Sequence, residues 1–138
     1  IAQSMKVALN CAAPCISVVI GEGGSGGAIA LGTSDKVLML SNSIYSVISP
    51  EGCSSILWKS SEFAEIASNS LRITAADCLK FNIIDEIIEE PVGGAHRDHS
   101  YVSESLKKSL LNNLNNLQEQ SIDSLIANRN ERYLNYLP

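Results

Sequence analysis

The sequence predicts an α/β domain with parallel strands, and three neighbouring segments indicate it. Two short apolar runs, 15–20 and 36–40, lack polar alternation, which is typical of strands buried in a parallel sheet. Between them a glycine cluster leads into the small apolar segment 28–32, which fits a buried helix that begins at Ser25 or Gly26. A strand, a helix and a strand in this order predict a βαβ crossover with parallel strands.

Composition places the chain among ordinary globular proteins. It has 138 residues, of which 45% are apolar and 18% charged, enough for one compact domain with its own core. The formal net charge of −5 and the scattered 10 Lys and Arg argue against a nucleic-acid or anionic-membrane surface. No apolar run approaches the ~20 residues of a membrane helix, and no signal peptide is recognised. Because the first residue is Ile1 rather than Met, we expect a fragment of a longer chain.

The cysteine pattern predicts no metal site. The four cysteines lack paired C-x2-C spacing, and only two histidines accompany them, so a zinc site is not expected. Each cysteine has apolar or small neighbours, as a buried free thiol would. Free thiols indicate a reducing compartment.

Periodicity and capping signals define the remaining elements. Pro50 opens a short helix toward Trp58, and Thr74 is an N-cap candidate. Leucines at helical spacing predict an amphipathic helix over 100–118. Helices are predicted over 1–10, 60–69, 74–81 and 121–136, strands over 44–48 and 83–88, a loop over 91–98, and a helical C-terminal region over about 98–138.

The glycine cluster is the most informative segment. Gly21, Gly23 and Gly26 satisfy the dinucleotide-binding pattern G-x-G-x-x-G, but the second strand ends at 41–42 in Ser-Asn rather than in the acidic residue that this pattern requires. No Gly-Lys-Ser/Thr follows, which excludes a Walker phosphate loop. Two interpretations remain open. The glycines permit tight helix–strand packing without a ligand, or they expose backbone N–H groups at a helix N-terminus as an oxyanion hole.

A second candidate segment is the turn Ser49–Pro50–Glu51–Gly52. It follows the predicted strand 44–48 and opens a helix, which places it near the carboxyl end of a sheet, where ligands bind in α/β folds. From the residues alone, a plain strand–helix turn is the better explanation. Glu51 fits a first-turn role better than a catalytic base.

Other polar and aromatic candidates favour structural roles. His96 and His99 lie in or beside a polar loop, where solvated histidines are the more common case, so no catalytic triad is assembled. Trp58 fits a core or interface anchor. The leucine stripe over 106–117 fits the core, or a surface that meets a missing region or subunit.

Four segments resemble the α subunit of the multisubunit acetyl-CoA carboxylase carboxyltransferase. They are GEGGSGGAIALGTSDKVLML, YSVISPEGCSSILWKS, IIDEIIEEPVGGAHRD and the closing NRNERYLNYLP. The resemblance implies a crotonase-like fold, a superhelix of ββα units, of which residues 1–138 would be the C-terminal part. It also implies carboxyl transfer from carboxybiotin to acetyl-CoA, which gives malonyl-CoA for fatty-acid synthesis.

The resemblance also implies a site and partners. The N–H groups of Gly26 and Gly27 would polarise the biotin ureido carbonyl, Gly23 and Gly24 would support the loop, and Ser49, Pro50, Glu51 and Gly52 would form a wall of the carboxybiotin pocket. Biotin would be carried on a separate biotin carboxyl carrier protein, with no metal bound by this chain.

In that family a β subunit supplies the acetyl-CoA half-site of an α2β2 heterotetramer, and biotin carboxylase completes the complex. The implied location is the bacterial cytoplasm or the plastid stroma. The family's α subunit has a sizeable N-terminal portion that this chain lacks, so we expect little or no activity from these residues alone. No protein base is required, because the biotin anion itself can take the methyl proton.

Two other classes of function stay open. One is a hydratase or hydrolase of the crotonase type that acts on a CoA thioester, which would need a nearby Glu or Asp as acid or base. The other is a scaffold domain in which the glycine turn serves only packing.

Overall fold

The computed structural model describes residues 1–136 of the chain. The strands it describes are β1 Ile16–Val19, β2 Glu22–Gly24, β3 Lys36–Leu40, β4 Ile44–Ser46 and β5 Glu86–Ile88. The α-helices it describes are α1 Ala2–Leu9, α2 Ser25–Leu31, α3 Pro50–Trp58, α4 Ala64–Leu71, α5 Ala75–Lys80, α6 His99–Gln118 and α7 Ile122–Leu134. Single 3-10 turns occupy Ser61–Phe63 and Ala95–Arg97.

The larger sheet has the strand order β1-β3-β5 and is parallel throughout. With α2 between β1 and β3, the predicted βαβ crossover is confirmed. The central strand β3 has its predicted bounds, 36–40, and four of its five residues are buried. Its side chains alternate between two faces. Val37 and Met39 pack in one cluster with α5, and Leu38 and Leu40 pack in another against α6.

A second, smaller sheet consists of β2 and β4, which pair in parallel. Neither this sheet nor β2 was predicted from the sequence. Glu-Gly-Gly has little β propensity and forms a strand only because β4 pairs with it. The run 44–48 was correctly predicted as a strand but does not extend the larger sheet. It shortens to Ile44–Ser46 because Pro50 begins α3 soon afterwards.

Three helices begin at residues whose side chains cap them, among them the predicted N-cap Thr74. Ser49, Thr74 and Ser121 each accept a hydrogen bond from a backbone N–H in the first turn of α3, α5 and α7. The leucine stripe of α6 lies toward the core, with Leu106 and Leu110 against the β3 cluster and Leu117 buried. No helix within residues 1–136 is long and apolar enough to cross a membrane.

Two burial predictions were wrong. The helix α2 starts at Ser25 as expected but has no buried residue, and Leu31 in its last turn is 79% exposed. Strand β1 is half-buried along its length rather than buried, because it lies at the edge of its sheet. Both elements therefore leave apolar surface exposed, most of all at Leu31.

Candidate functional site

The glycine segment is a strand followed directly by a helix N-terminus. Gly24 ends β2 in an extended conformation and is the N-cap of α2. Ser25 then has φ = +63°, a left-handed conformation that is uncommon for a residue other than glycine. A left-handed residue followed by helical ones turns successive N–H groups toward one side, as in the anion-binding concavities called nests. Strain of this kind occurs preferentially at functional sites.

The N–H groups of Gly26 and Gly27 have no internal acceptor. They fall in the first turn of α2, where no residue four positions earlier is helical, and neither donates a hydrogen bond to any residue in 1–136. A side chain at Gly27 would meet no atom within 4 Å, and one at Gly26 would meet only the end of the Ile1 side chain, at 3.1 Å. The surface is therefore open at Gly27 and bounded on one side by Ile1 at Gly26, and the partial positive charge of the helix N-terminus is available to an anionic oxygen.

The second predicted segment, 49–52, follows strand β4, which ends beside β2 at the same edge of the small sheet. Gly24 of β2 is opposite Ser46 of β4, so both parallel strands end side by side, and each continues into the N-terminus of a helix. Ser49 is the N-cap of α3, and its Oγ accepts a hydrogen bond from the N–H of Gly52 at 3.1 Å. The topology thus brings the two predicted segments to one edge of the small sheet.

The members of the second segment have evident local roles. Pro50 occupies the first turn of α3, where its missing N–H costs nothing, and Glu51 is exposed in the same turn. A side chain at Gly52 would approach Ile48 Cγ1 and Ser49 Oγ to 3.0 Å each, so a larger residue there would require these two side chains to shift. A capping and packing role is therefore directly visible for this segment.

Tyr45 is a residue that the sequence analysis did not single out. It is opposite Gly23 in the β2–β4 pairing, and a Cβ at Gly23 would lie only 2.8 Å from Tyr45 Cδ2. Its hydroxyl donates to the carbonyl oxygen of Ala28 in α2 at 3.1 Å, and a Cβ at Gly32 would collide with that hydroxyl. Burial raises the pKa of Tyr45, which keeps the hydroxyl a donor. Gly23 thus admits this ring where a side chain would collide with it, and its predicted role as a support of the loop stays a prediction.

The histidines and Trp58 lie away from these glycines in the sequence and have surface positions. His96, Arg97 and His99 are all exposed, and Arg97 folds back over Gly93, in agreement with solvated loop residues. Trp58 ends α3 with 41% of its surface exposed and its ring 5.9 Å from that of Phe63. It is therefore not a core residue, and its role as an interface anchor stays a prediction.

All four cysteines are free, as predicted, but only Cys78 is buried. Burial, with the charge of Asp77 adding to it, raises the pKa of the Cys78 thiol. Burial and the neighbouring thiol of Cys11 raise the pKa of Cys15 as well. Within residues 1–136, no group of three or more His, Cys, Asp or Glu side chains is placed to hold a metal ion.

Comparison with known proteins identifies relatives along nearly the whole chain. The family described as acetyl co-enzyme A carboxylase carboxyltransferase-like matches residues 1–137. The acetyl-coenzyme A carboxylase carboxyl transferase subunit alpha of Gemmatimonas aurantiaca is 52% identical over 124 residues, covering 88% of this chain and 38% of the relative. The protein of the same name from Clostridium perfringens (strain SM101) is 50% identical over 135 residues, covering 98% and 50%. The chain thus spans half or less of these relatives' length.

Two solved structures share the fold at low sequence identity. One is a Pseudomonas malonate decarboxylase hetero-tetramer in complex with coenzyme A, with a TM-score of 0.64, 12% identity, and coverage of 91% of this chain and 48% of that one. The other is methylmalonyl CoA decarboxylase, with a TM-score of 0.61, 17% identity, and coverage of 97% and 52%. The predicted crotonase-like α/β fold with C-terminal helices is confirmed. Together with the family match, these relatives show that the chain belongs to the acetyl-CoA carboxylase carboxyltransferase family.

Proposed function

We propose that this chain is the C-terminal part of a carboxyltransferase α subunit and forms the half-site that faces carboxybiotin. The whole protein would transfer the carboxyl group from carboxybiotin to acetyl-CoA, giving malonyl-CoA. Family membership supports the reaction, because relatives at about half identity carry this name. The observation that carries the site is the pair of N–H groups at Gly26 and Gly27, which donate to no residue in 1–136, with open space beside Gly27.

The residues of this chain would act by fixed electrostatics. Gly26 and Gly27 would donate two hydrogen bonds to an oxygen on which negative charge develops as the carboxyl group leaves. Donors that are already oriented need no reorganisation, and the loss of one such donor typically costs ~3 kcal/mol of transition-state stabilisation. Ser25, held at φ = +63°, would keep the two N–H groups turned the same way.

Bound carboxybiotin would supply the carboxyl group that is transferred. The glycines of this chain leave space for it beside the backbone. Gly24 and Gly27 have no atom within 4 Å of where a side chain would be, so a ligand can approach the backbone itself. Ser49, Pro50, Glu51 and Gly52 would bound the same space from the end of β4. Their visible capping role does not compete with this, because the outer surfaces of Ser49 and Glu51 remain exposed.

The proposed partners follow from the same family. They are a β subunit that completes an α2β2 heterotetramer, a biotin carboxyl carrier protein and biotin carboxylase, in the bacterial cytoplasm or the plastid stroma. Exposed aliphatic side chains support a covered surface, among them Leu31 beside the crossover and Ile56 and Leu57 on α3. We therefore expect residues 1–138 alone to be inactive.

The test is malonyl-CoA decarboxylation, with and without free biotin, by the full-length α subunit assembled with its β subunit. Replacing Gly27 by Ala adds one methyl group in open space, so stability should hold or rise by up to about 1 kcal/mol, as for any Gly→Ala in a helix. In the proposed site this methyl group would occupy space through which the ligand reaches the backbone, so biotin-dependent kcat/KM should fall about a hundredfold.

Gly21→Ala is the matched control, since that methyl group also meets nothing within 4 Å, and it lies outside the helix turn. Its turnover should equal that of the wild type. Undiminished turnover in an assembled Gly27→Ala complex would contradict the proposed site. Decarboxylation that needs no biotin would instead indicate a crotonase-type enzyme acting on the CoA thioester alone.

A further inference from the structure

We propose that Tyr45 is a positioning residue that sets the direction of the Gly26 and Gly27 N–H groups by fixing α2 against β4. This inference rests on the proposed oxyanion hole, and it adds a residue that lies outside the glycine segment. Tyr45 contacts that segment twice, once before and once after the two donors. It lies across Gly23, three residues before Gly26, and bonds to Ala28, one residue after Gly27.

The first contact depends on an absent side chain. Gly23 and Tyr45 are direct partners in the parallel pairing, so their side-chain positions lie on the same face of the small sheet. A Cβ at Gly23 would be 2.8 Å from Tyr45 Cδ2 and 3.2 Å from Val19 Cγ1. The ring thus takes the place of the missing side chain, and the position of β2 is fixed relative to β4 and β1.

The second contact is polar and reaches the helix itself. The carbonyl oxygen of Ala28 accepts the helical N–H of Gly32 at 2.8 Å and also the hydroxyl of Tyr45 at 3.1 Å. Gly32 is buried, and any side chain there would displace the Tyr45 hydroxyl. Glycine at this position therefore allows the hydroxyl to reach the Ala28 carbonyl. Because α2 has only seven residues and no buried side chain, it contributes little packing of its own to resist a tilt.

Tyr45 is itself held firmly. Its N–H donates to the carbonyl oxygen of Ile73 at 3.0 Å, and its ring packs on the cluster that contains Val37 and Met39 of the central strand. The residue therefore links a rigid strand to a lightly packed helix. A displacement of about 1 Å at a catalytic donor is enough to lower turnover by up to about a hundredfold, so this link bears directly on rate.

The test uses Tyr45→Phe in the full-length α subunit assembled with its β subunit. The ring remains and only the bond to Ala28 is lost, so we expect kcat for biotin-dependent decarboxylation to fall about fivefold to tenfold with KM for malonyl-CoA unchanged. Tyr136→Phe is the control from the same cavity, which Tyr136 lines with Tyr45 and Gly32. It also removes a hydroxyl bonded to a backbone carbonyl, that of Asn82 at 2.8 Å, which lies between α5 and β5 rather than in α2. The melting temperature of Tyr136→Phe should shift as much as that of Tyr45→Phe, but its kcat should equal that of the wild type.

A double-variant cycle separates positioning from general stability. In the Tyr45 protein, Gly32→Ala forces a methyl group against the hydroxyl and should lower kcat further than Tyr45→Phe does. In the Tyr45→Phe background the oxygen is gone, so the same methyl group should cost less and the two losses should not multiply. Multiplying losses, or equal kcat for Tyr45→Phe and Tyr136→Phe, would overturn the proposal.

The Gly27→Ala variant keeps this outcome distinct from a failure of the proposed function. If Gly27→Ala loses turnover while Tyr45→Phe does not, the oxyanion hole stands and the role of Tyr45 is refuted. If neither variant loses turnover, both proposals are refuted.

Discussion

Arg129 of α7 and Asp35, the residue before β3, form a fully buried bidentate ion pair. The Nε–Oδ1 and Nη2–Oδ2 distances are both 2.8 Å, and the side chains are 0% and 4% exposed. The remaining guanidinium hydrogens are donated to the backbone carbonyls of Ala8, Cys11 and Ala13, just where α1 ends. The side-chain bond with Asp35 is the main cause of the raised pKa of Arg129. One side chain therefore joins the last α-helix, the central strand and the end of the first helix.

We expect Arg129→Met to lower the free energy of unfolding by about 3–5 kcal/mol, because it leaves Asp35 buried without its partner. Lys107→Met is the control, since Lys107 pairs with Glu104 at the surface, and its cost should stay within about 0.5 kcal/mol. Urea unfolding of the two variants measures both values. A loss below about 1 kcal/mol in Arg129→Met would show that the pair contributes little.

Asp85 predicts a loss of stability in acid. Burial raises its pKa, but hydrogen bonds from Arg132, the N–H of Val37 and Lys36 outweigh burial and hold the pKa below the ordinary 3.8. A carboxyl group with a lowered pKa stabilises the fold above its unfolded pKa and loses that contribution as the pH falls through the folded value.

Wild-type stability should therefore decline below about pH 4, and Asp85→Asn should be less stable at neutral pH and decline less steeply in acid. Urea unfolding at several values between about pH 5 and pH 2 measures the slopes. Glu104→Gln, which removes an exposed carboxyl group, should leave the wild-type slope unchanged. Parallel curves for the wild type and Asp85→Asn would contradict the prediction.

Ser49 tests whether a helix cap also lines the pocket. Ser49→Ala should lower the free energy of unfolding by about 1 kcal/mol, and Ser49→Thr should restore most of it. Ser121→Ala removes an equivalent cap, since Ser121 accepts from the N–H of Ser124 at 3.2 Å, and should cost a similar amount. If Ser49 also bounds the carboxybiotin pocket, only Ser49→Ala should raise KM for free biotin. Equal KM values in the two variants would leave Ser49 as a cap alone.

Cys78 should be the least reactive thiol of the native protein. It is 1% exposed, and its raised pKa keeps it protonated at neutral pH. Iodoacetamide should modify Cys53, which is half-buried, about tenfold faster or more. Mass spectrometry of timed samples gives the two rates, and labelling in urea should make them equal. Comparable rates in the native protein would mean that α5 opens readily.

The sequence was sufficient to predict elements whose local signals and tertiary setting agree. Strand β3 is a continuous apolar run in the centre of a parallel sheet, so its predicted and observed bounds coincide at 36–40. Thr74 and Pro50 act as start signals because capping is decided within one turn of helix. The start of α2 at Ser25 is one of the two predicted starts, Ser25 or Gly26, which followed from the small apolar residues after the glycines.

Features that depend on distant partners were not predicted. Strand β2 exists only through its pairing with β4, and the role of Tyr45 appears only once Gly23 and Gly32 lie on either side of its ring. Glycine at both positions permits a close neighbour, but nothing in the sequence indicated that the neighbour is Tyr45. The Arg129–Asp35 pair joins residues 94 positions apart and leaves no local pattern. The predicted burial of α2 was wrong because small apolar residues fit an exposed short helix as well as a buried one.

The way in which Arg129 holds α1 has a consequence for the order in which the protein becomes competent during synthesis. Its bonds to Ala8 and Ala13 span 121 and 116 residues, and the Ile1 side chain at the other end of α1 lies against Gly26. Contacts of such long range form late in folding, because the entropy of closing a long loop is lost before the contact's interaction energy is gained. In a growing chain, Ile1 would therefore not be held against Gly26 until α7 had left the ribosome. Nascent chains that stop before residue 129 should remain open there and more sensitive to proteases.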